Sequence, residues 1–270
     1  MGKGNNIMVL DLETLHSADD CQDCGDDARQ GACRSPTGQH RRIGWDNKLA
    51  LGLSIGCYYD YCDQRIHWVD LYTLEDTIRD FVKAQPLLVS FNGIAFDFPL
   101  MRGILRQRAD EEPALPPGTV PRPEPHPLNF LCDAFKILCA TSYDLLAEIW
   151  KVDPGRKFER GLNSLDAISQ ANGLGAKALT GALAPRLWQQ GRYAEVIDYC
   201  QGDVYKTKAL FELVCAGQPI VRGDGQPIVL CNPFPEEALA TVDTPEPSAF
   251  ALGAALRDAS WHRPGRRKEP

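Results

Sequence analysis

The stretch that most limits how this chain can fold is Ile7-Met8-Val9-Leu10-Asp11-Leu12-Glu13-Thr14. An apolar run of strand-forming residues ends there in two carboxylates two positions apart. On a β-strand, residues i and i+2 point to the same side, so Asp11 and Glu13 stand together. Like charges that close repel, and a fold keeps such a pair by exposing it or by placing a cation between the two. Mg²⁺ and Mn²⁺ prefer hard carboxylate oxygens, so a divalent ion is one answer. A strand end whose acids face water is the other.

At 270 residues the chain is long enough for one large domain or two small ones around a well-buried core. Its 44% hydrophobic and 24% charged residues are ordinary for a soluble globular protein. No apolar run approaches the ~20 residues needed to span a bilayer. Met1 to Asn6 carries one lysine before a strand that ends in acids, which does not read as a signal peptide. These features lead to an expectation of a cytoplasmic protein with no membrane partner. The formal net charge of −7 argues against gripping duplex DNA mainly by phosphate neutralisation. A nucleic-acid partner would have to be held by bound metal ions and local Lys or Arg.

Turn chemistry and periodicity divide the rest. Residues 16–44 are polar and rich in Cys, Asp and Gly, and read as a long loop or insertion. Leu49 to Tyr61 reads as a long strand, Asp63-Gln64 as a turn, and Arg65 to Asp70 as the returning strand. Thr73 or Asp76 can open a helix with Leu74, Ile78, Phe81 and Val82 on one face, stopped by Pro86. Leu87 to Asn92 is a short strand of the fully buried kind, and a helix begins near Phe98-Pro99. Residues 109–127 are crowded with Pro and acids and read as a surface loop. Leu131 to Leu138 reads as a strand or strand-loop, followed by helices around Tyr143–Trp150 and Leu162–Ala171, and Gly173, Gly175 and Gly181 break the chain before Ala184–Gln190. Tyr193 to Val214 has the apolar spacing of a long amphipathic helix. The chain divides into a domain over 1–232 and a Pro/Ala-rich extension with a basic tail over 233–270.

Two further acids fall where they can complete a site. Asp97 follows the buried strand directly, at a strand-to-helix junction where polar site residues of α/β sheets commonly lie. It also fits a plain helix N-cap. Tyr199 and Asp203 are four apart on the long helix and share a face beside its apolar stripe. That position also suits a half-buried Tyr with a solvated Asp. Together the four acids can converge on two cations. Two divalent ions about 4 Å apart stabilise the attacking and leaving oxygens of an in-line phosphoryl displacement.

Asp-x-Glu after an apolar strand, Asn-x-x-x-Phe-Asp at 92–97 and Tyr-x-x-x-Asp at 199–203 resemble, in order, the three exonuclease motifs of the DEDD superfamily. The Tyr before the last Asp resembles the DEDDy branch, which includes the proofreading exonuclease domains of family B DNA polymerases. The resemblance spans Asp11 to Asp203. It implies a ribonuclease H-like α/β fold, a mixed central sheet with its first three strands antiparallel and helices on its flanks. It implies two Mg²⁺ or Mn²⁺ ions on Asp11, Glu13, Asp97 and Asp203, with Asp11 bridging both. Glu13 would bind one ion and help hold the attacking water, which Tyr199 orients. Thr14, Leu15, Asn92, Phe96 and Asp144 would line the substrate end.

The activity so implied is metal-dependent 3′–5′ hydrolysis of a single-stranded DNA or RNA end, with a helicase or polymerase as a conceivable partner. A structure-specific endonuclease or resolvase on the same fold stays open, as does a non-catalytic module that binds nucleic acid or a replication partner. Oligomeric state is not legible.

Ten cysteines in a cytoplasmic chain are not a disulfide framework. Cys57, Cys62, Cys132, Cys139, Cys200 and Cys215 read as small core residues. Cys21, Cys24, Cys33 and His40 offer three thiols and an imidazole within twenty residues, a donor set suited to a structural Zn²⁺. Their spacings match no common zinc finger, and a loop with reduced thiols fits them as well.

Overall fold

A computed structural model of the chain describes residues 6–25, 41–111, 126–159, 161–176 and 181–234. The fold is mixed α/β, a five-stranded sheet flanked by helices. Strand β1 (Ile7–Thr14) lies at its centre, and the strand order is β3-β2-β1-β4-β5. β1 pairs antiparallel with β2 (Leu53–Asp60), from Met8↔Asp60 to Thr14↔Leu53, with a register shift between Glu13 and Thr14. β2 pairs antiparallel with β3 (Arg65–Val69). On the other side β4 (Leu87–Ser90) and β5 (Tyr143–Asp144) add in parallel, so the sheet is mixed.

The period-two alternation of β1 builds two cores. Met8, Leu10 and Leu12 face one way, into a cluster with Leu74, Ile78 and Phe81 of α2 (Leu74–Ala84), Met101 of α3 (Asp97–Asp110) and Phe135 of α4 (Pro127–Ala140). Ile7 and Val9 face the other way, with Leu145 and Ile149 of α5 (Leu145–Val152) and Ile168 of α6 (Leu165–Ala171). After α7 (Ala184–Gln189) comes the longest helix, α8 (Tyr193–Cys215), which crosses this second face. Its buried stripe, Val196, Tyr199, Cys200, Asp203, Val204, Thr207, Leu210, Phe211 and Val214, recurs every three or four residues, as helical packing requires.

Two segments depart from the sequence reading. The strand expected from Leu49 begins four residues later, because Lys48–Leu51 forms one helical turn. Asn47 caps that turn by accepting from the Ala50 amide, and Gly52, at φ 64°, reverses the chain into β2. The strand expected over Leu131–Leu138 is instead the middle of α4. Pro127 sits in its first turn, His126 caps it, and Leu128, Leu131, Cys132, Phe135, Leu138 and Cys139 form a helical stripe. A small hairpin that the sequence did not signal, β6 (Ile220–Val221) with β7 (Pro227–Ile228), follows α8. Of the Pro-rich loop expected over 109–127, residues 112–125 lie outside the described residues, as does the extension from 235 on. Among the described residues no helix is long and apolar enough to cross a membrane.

Candidate active site

Asp11 and Glu13 continue the face of β1 that Ile7 and Val9 turn toward α8. Cys200 of α8 packs in that same cluster, and its thiol lies 3.4 Å from the Asp11 carbonyl oxygen. The ligand atoms of Asp11, Glu13 and Cys200 all lie within 4.8 Å of one another. The register shift after Glu13 is of the kind that re-aims side chains beside active sites.

Tyr199 and Asp203, one turn apart, are both buried. Burial above all, and then the negative charges of Asp203, Glu13 and Asp11, hold the Tyr199 phenol well above its ordinary range. Its hydroxyl donates to the Asp203 carboxylate. The helix thus brings Tyr199 and Asp203 into the field of the two β1 carboxylates.

Asp97 arrives from a different direction. The β1–β4 ladder ends at Val9↔Val89, and beyond it the Leu12 amide donates 3.1 Å to Asp97 Oδ1. A carboxylate therefore takes the place that a longer β4 would fill. It opens α3 and is 4% exposed. Burial, and next the charge of Asp144, push its pKa up to about 7.

The loop before Asp97 shows why the motif reads Asn-Gly-Ile-Ala-Phe-Asp. Asn92 sits at φ 74°, a left-handed conformation that Asn tolerates. A Cβ on Gly93 would lie 2.5 Å from the Ser90 side chain and 3.3 Å from Asp97 Oδ2, so only glycine fits. The Phe96 amide returns to the Asn92 carbonyl, and the Phe98 amide to that of Gly93.

Asp144 departs from its expected place among the substrate contacts. It is 2% exposed and accepts from the Ser90 hydroxyl and the amides of Asn92, Ile94, Leu146 and Ala147. It braces the loop that carries Asp97 and caps α5. Thr14 is buried at the end of β1, Leu15 is half-buried with its carbonyl accepting from Gln189, and Phe96 is half-buried.

Around the site the structure adds residues the sequence reading missed or misplaced. Cys57 stands opposite Asp11 on β2, its sulfur 3.2 Å from that of Cys200. Burial raises both thiols, which keeps them as neutral packing groups. Cys62 is exposed and Cys215 half-buried, so neither is the core residue expected. Trp45 packs its ring edge-on to Phe96, with centroids 6.2 Å apart. Nothing in the spacing around Trp45 signalled that contact.

The insertion is not a plain loop at its base. Cys21 and Arg42 form an antiparallel bridge, flanked by Gln22 N–H to Arg41 O and Ile43 N–H to Asp20 O. Cys21 is buried and Cys24 half-buried, while Cys33 and His40 of the expected zinc set lie outside the described residues. A second acidic group, Asp60, Asp63 and His67, sits at the β2–β3 turn, with His67 stacked on Tyr58.

No family model matches the chain, and no curated protein matches it. The donor set itself fits hard divalent ions. Asp11 and Glu13 offer carboxylate oxygens, the donor type that hard divalent ions prefer, within 4.8 Å of one another and of the Cys200 thiol.

Proposed function

We propose that this protein is a metal-dependent 3′–5′ exonuclease of the ribonuclease H-like, DEDDy type, acting on single-stranded nucleic-acid ends. The observation that carries this is that the ligand atoms of Asp11 and Glu13 on β1 lie within 4.8 Å of one another and of Cys200 on α8, whose neighbour Tyr199 is hydrogen-bonded to Asp203 and feels the charge of both β1 acids. Asp97, at the start of α3, is bonded to the Leu12 amide between the two β1 acids.

Asp11, Glu13, Asp97 and Asp203 are the residues that would hold the metal. Divalent ions there would supply charge neutralisation at the phosphate and a more acidic bound water. The chain's own groups do the rest. Tyr199 stays protonated, because its pKa is raised, and so keeps a hydroxyl with which to orient the attacking water. The Asp203 carboxylate, accepting from that hydroxyl, fixes its direction. Asn92, Gly93 and Phe96 set the backbone that aims Asp97, and Asp144 keeps that backbone in place.

The test is a 5′-labelled single-stranded DNA and its RNA equivalent, incubated with Mg²⁺, Mn²⁺ or EDTA. A ladder that shortens from the 3′ end with metal, and not with EDTA, is expected. A single internal cut would replace this reading with an endonuclease, and binding without metal-dependent cleavage would replace it with a binding module. Asp11→Ala and Asp203→Ala should each lower cleavage by on the order of 10³-fold or more while the far-ultraviolet circular dichroism is kept. Activity surviving both substitutions would refute the site.

A further inference from the structure

A cavity of about 410 Å³ lies between the base of the insertion and the start of α7, lined by Ala18, Asp19, Trp45, Leu183 and Arg186 among others. Both of its walls lead back to the carboxylates. Trp45 meets Phe96 edge to face, and Phe96 is bonded directly to Asp97. On the other wall Ala182 follows Gly181, where a Cβ would lie 3.5 Å from the Tyr199 hydroxyl. Near by, Gln189 of α7 ties that helix to the chain after β1, its amide donating to the Leu15 carbonyl at 3.0 Å and to Asp20 at 3.4 Å.

Trp45 is 63% exposed, although it sits beside the small buried cluster of Ala18, Ile43 and Leu51. Its contribution to that core is therefore minor, and most of its surface is turned outward. A large exposed aromatic beside a cleft is what a stacking platform for an unpaired base requires, since every base offers a π-face. The volume falls within the range of ~300–1,000 Å³ typical of small-ligand sites, enough for a nucleotide and too small for a duplex. Arg186 and Asp19 give that lining its charged groups.

With the exonuclease reading as its premise, we propose that this cavity is a base-binding subsite in which an unpaired nucleobase of the substrate strand stacks on Trp45. The subsite selects single strands, because a paired base cannot leave its partner to enter.

Two measurements on the full chain test it, with 5′-labelled oligo(dT) and oligo(U) as separate probes. Fluorescence anisotropy in EDTA reports binding, and exonuclease kinetics in Mg²⁺ report turnover. Trp45→Ala should raise both Kd in EDTA and KM by about 5- to 100-fold, with kcat within about twofold. Trp45→Phe should recover most of the loss. One abasic position stepped back from the 3′ end of oligo(dT) should weaken wild-type binding at a single register and add nothing on Trp45→Ala. Unchanged Kd and KM on Trp45→Ala, or a fall in kcat alone, would overturn the subsite and leave the exonuclease reading standing. A wild-type protein that neither binds nor cleaves either probe would remove both.

Discussion

On one side of β1, Met8, Leu10 and Leu12 carry the apolar alternation to the end of the strand; on the other, Ile7 and Val9 give way to Asp11 and Glu13. The first side is covered by α2, α3 and α4, and it buries three large aromatics, Phe81, Phe98 and Phe135. The second is covered chiefly by α8, whose stripe changes in the same sense. Near Leu210, Phe211 and Val214 it is apolar, and about two to three turns before Leu210 it carries Asp203 and Tyr199. One strand and one helix thus hold both packing and chemistry, separated by face on the strand and by position along the helix. The sealed face stabilises the scaffold, so that the other can gather carboxylates whose mutual repulsion works against folding.

That division can be broken by substitution. Leu10, 1% exposed and centred on the sealed face, should cost about 2–5 kcal/mol when changed to Ala, read from denaturant melts. Below the melting transition the activity per folded molecule should be unchanged. Loss of activity without loss of stability would mean that the two faces are not independent.

Tyr199→Phe is the complementary change. It removes one hydroxyl from the acidic face and no packing volume, so kcat should fall by about 10²-fold with little movement of KM. A wild-type kcat would leave Tyr199 a packing residue and would shift water orientation to the carboxylates alone.

The smallest expected effect concerns the cost of the acidic face. Burial raises Asp97 from the ordinary 3.8 to about 7, so the folded chain keeps a proton that the unfolded chain has released. Between those values stability falls as pH rises. Metal-free Asp97→Asn should therefore melt higher than wild type at pH 8, by on the order of 5 °C, and no higher at pH 3. Added Mg²⁺ or Mn²⁺ should narrow or reverse the gap, because only the wild-type carboxylate gains from the cation. A gap that does not change with pH would place the Asp97 charge in water rather than in the protein.

Much of this organisation was legible from residue spacing. The two-residue period puts Asp11 beside Glu13, and the four-residue step puts Tyr199 over Asp203, whatever surrounds them. α8 was legible because its stripe persists over many turns. α4 was misread because its apolar residues are dense enough over Leu131–Leu138 to resemble a buried strand, and Pro127 marks its start only in hindsight. α1 was hidden in the run Leu49-Ala50-Leu51, where only Asn47 and Gly52 announce a turn. The two-residue strands β5, β6 and β7 are too short to have a period at all. The brace by Asp144 was invisible for another reason. Its partners Asn92 and Ile94 lie 52 and 50 residues away in the chain, so only the folded sheet brings donor and acceptor together.

That brace has a mechanical consequence. Four amides and a hydroxyl, from the β4 end and from the first turn of α5, converge on one carboxylate group. To release Asn92 or Ile94 by moving Asp144, the chain must also uncap α5 at Leu146 and Ala147. The loop that aims Asp97 and the helix that follows β5 therefore open as one cooperative unit, protected together from hydrogen exchange and lost together. The loop borrows its stiffness from a helix that contributes no side chain to the carboxylate cluster.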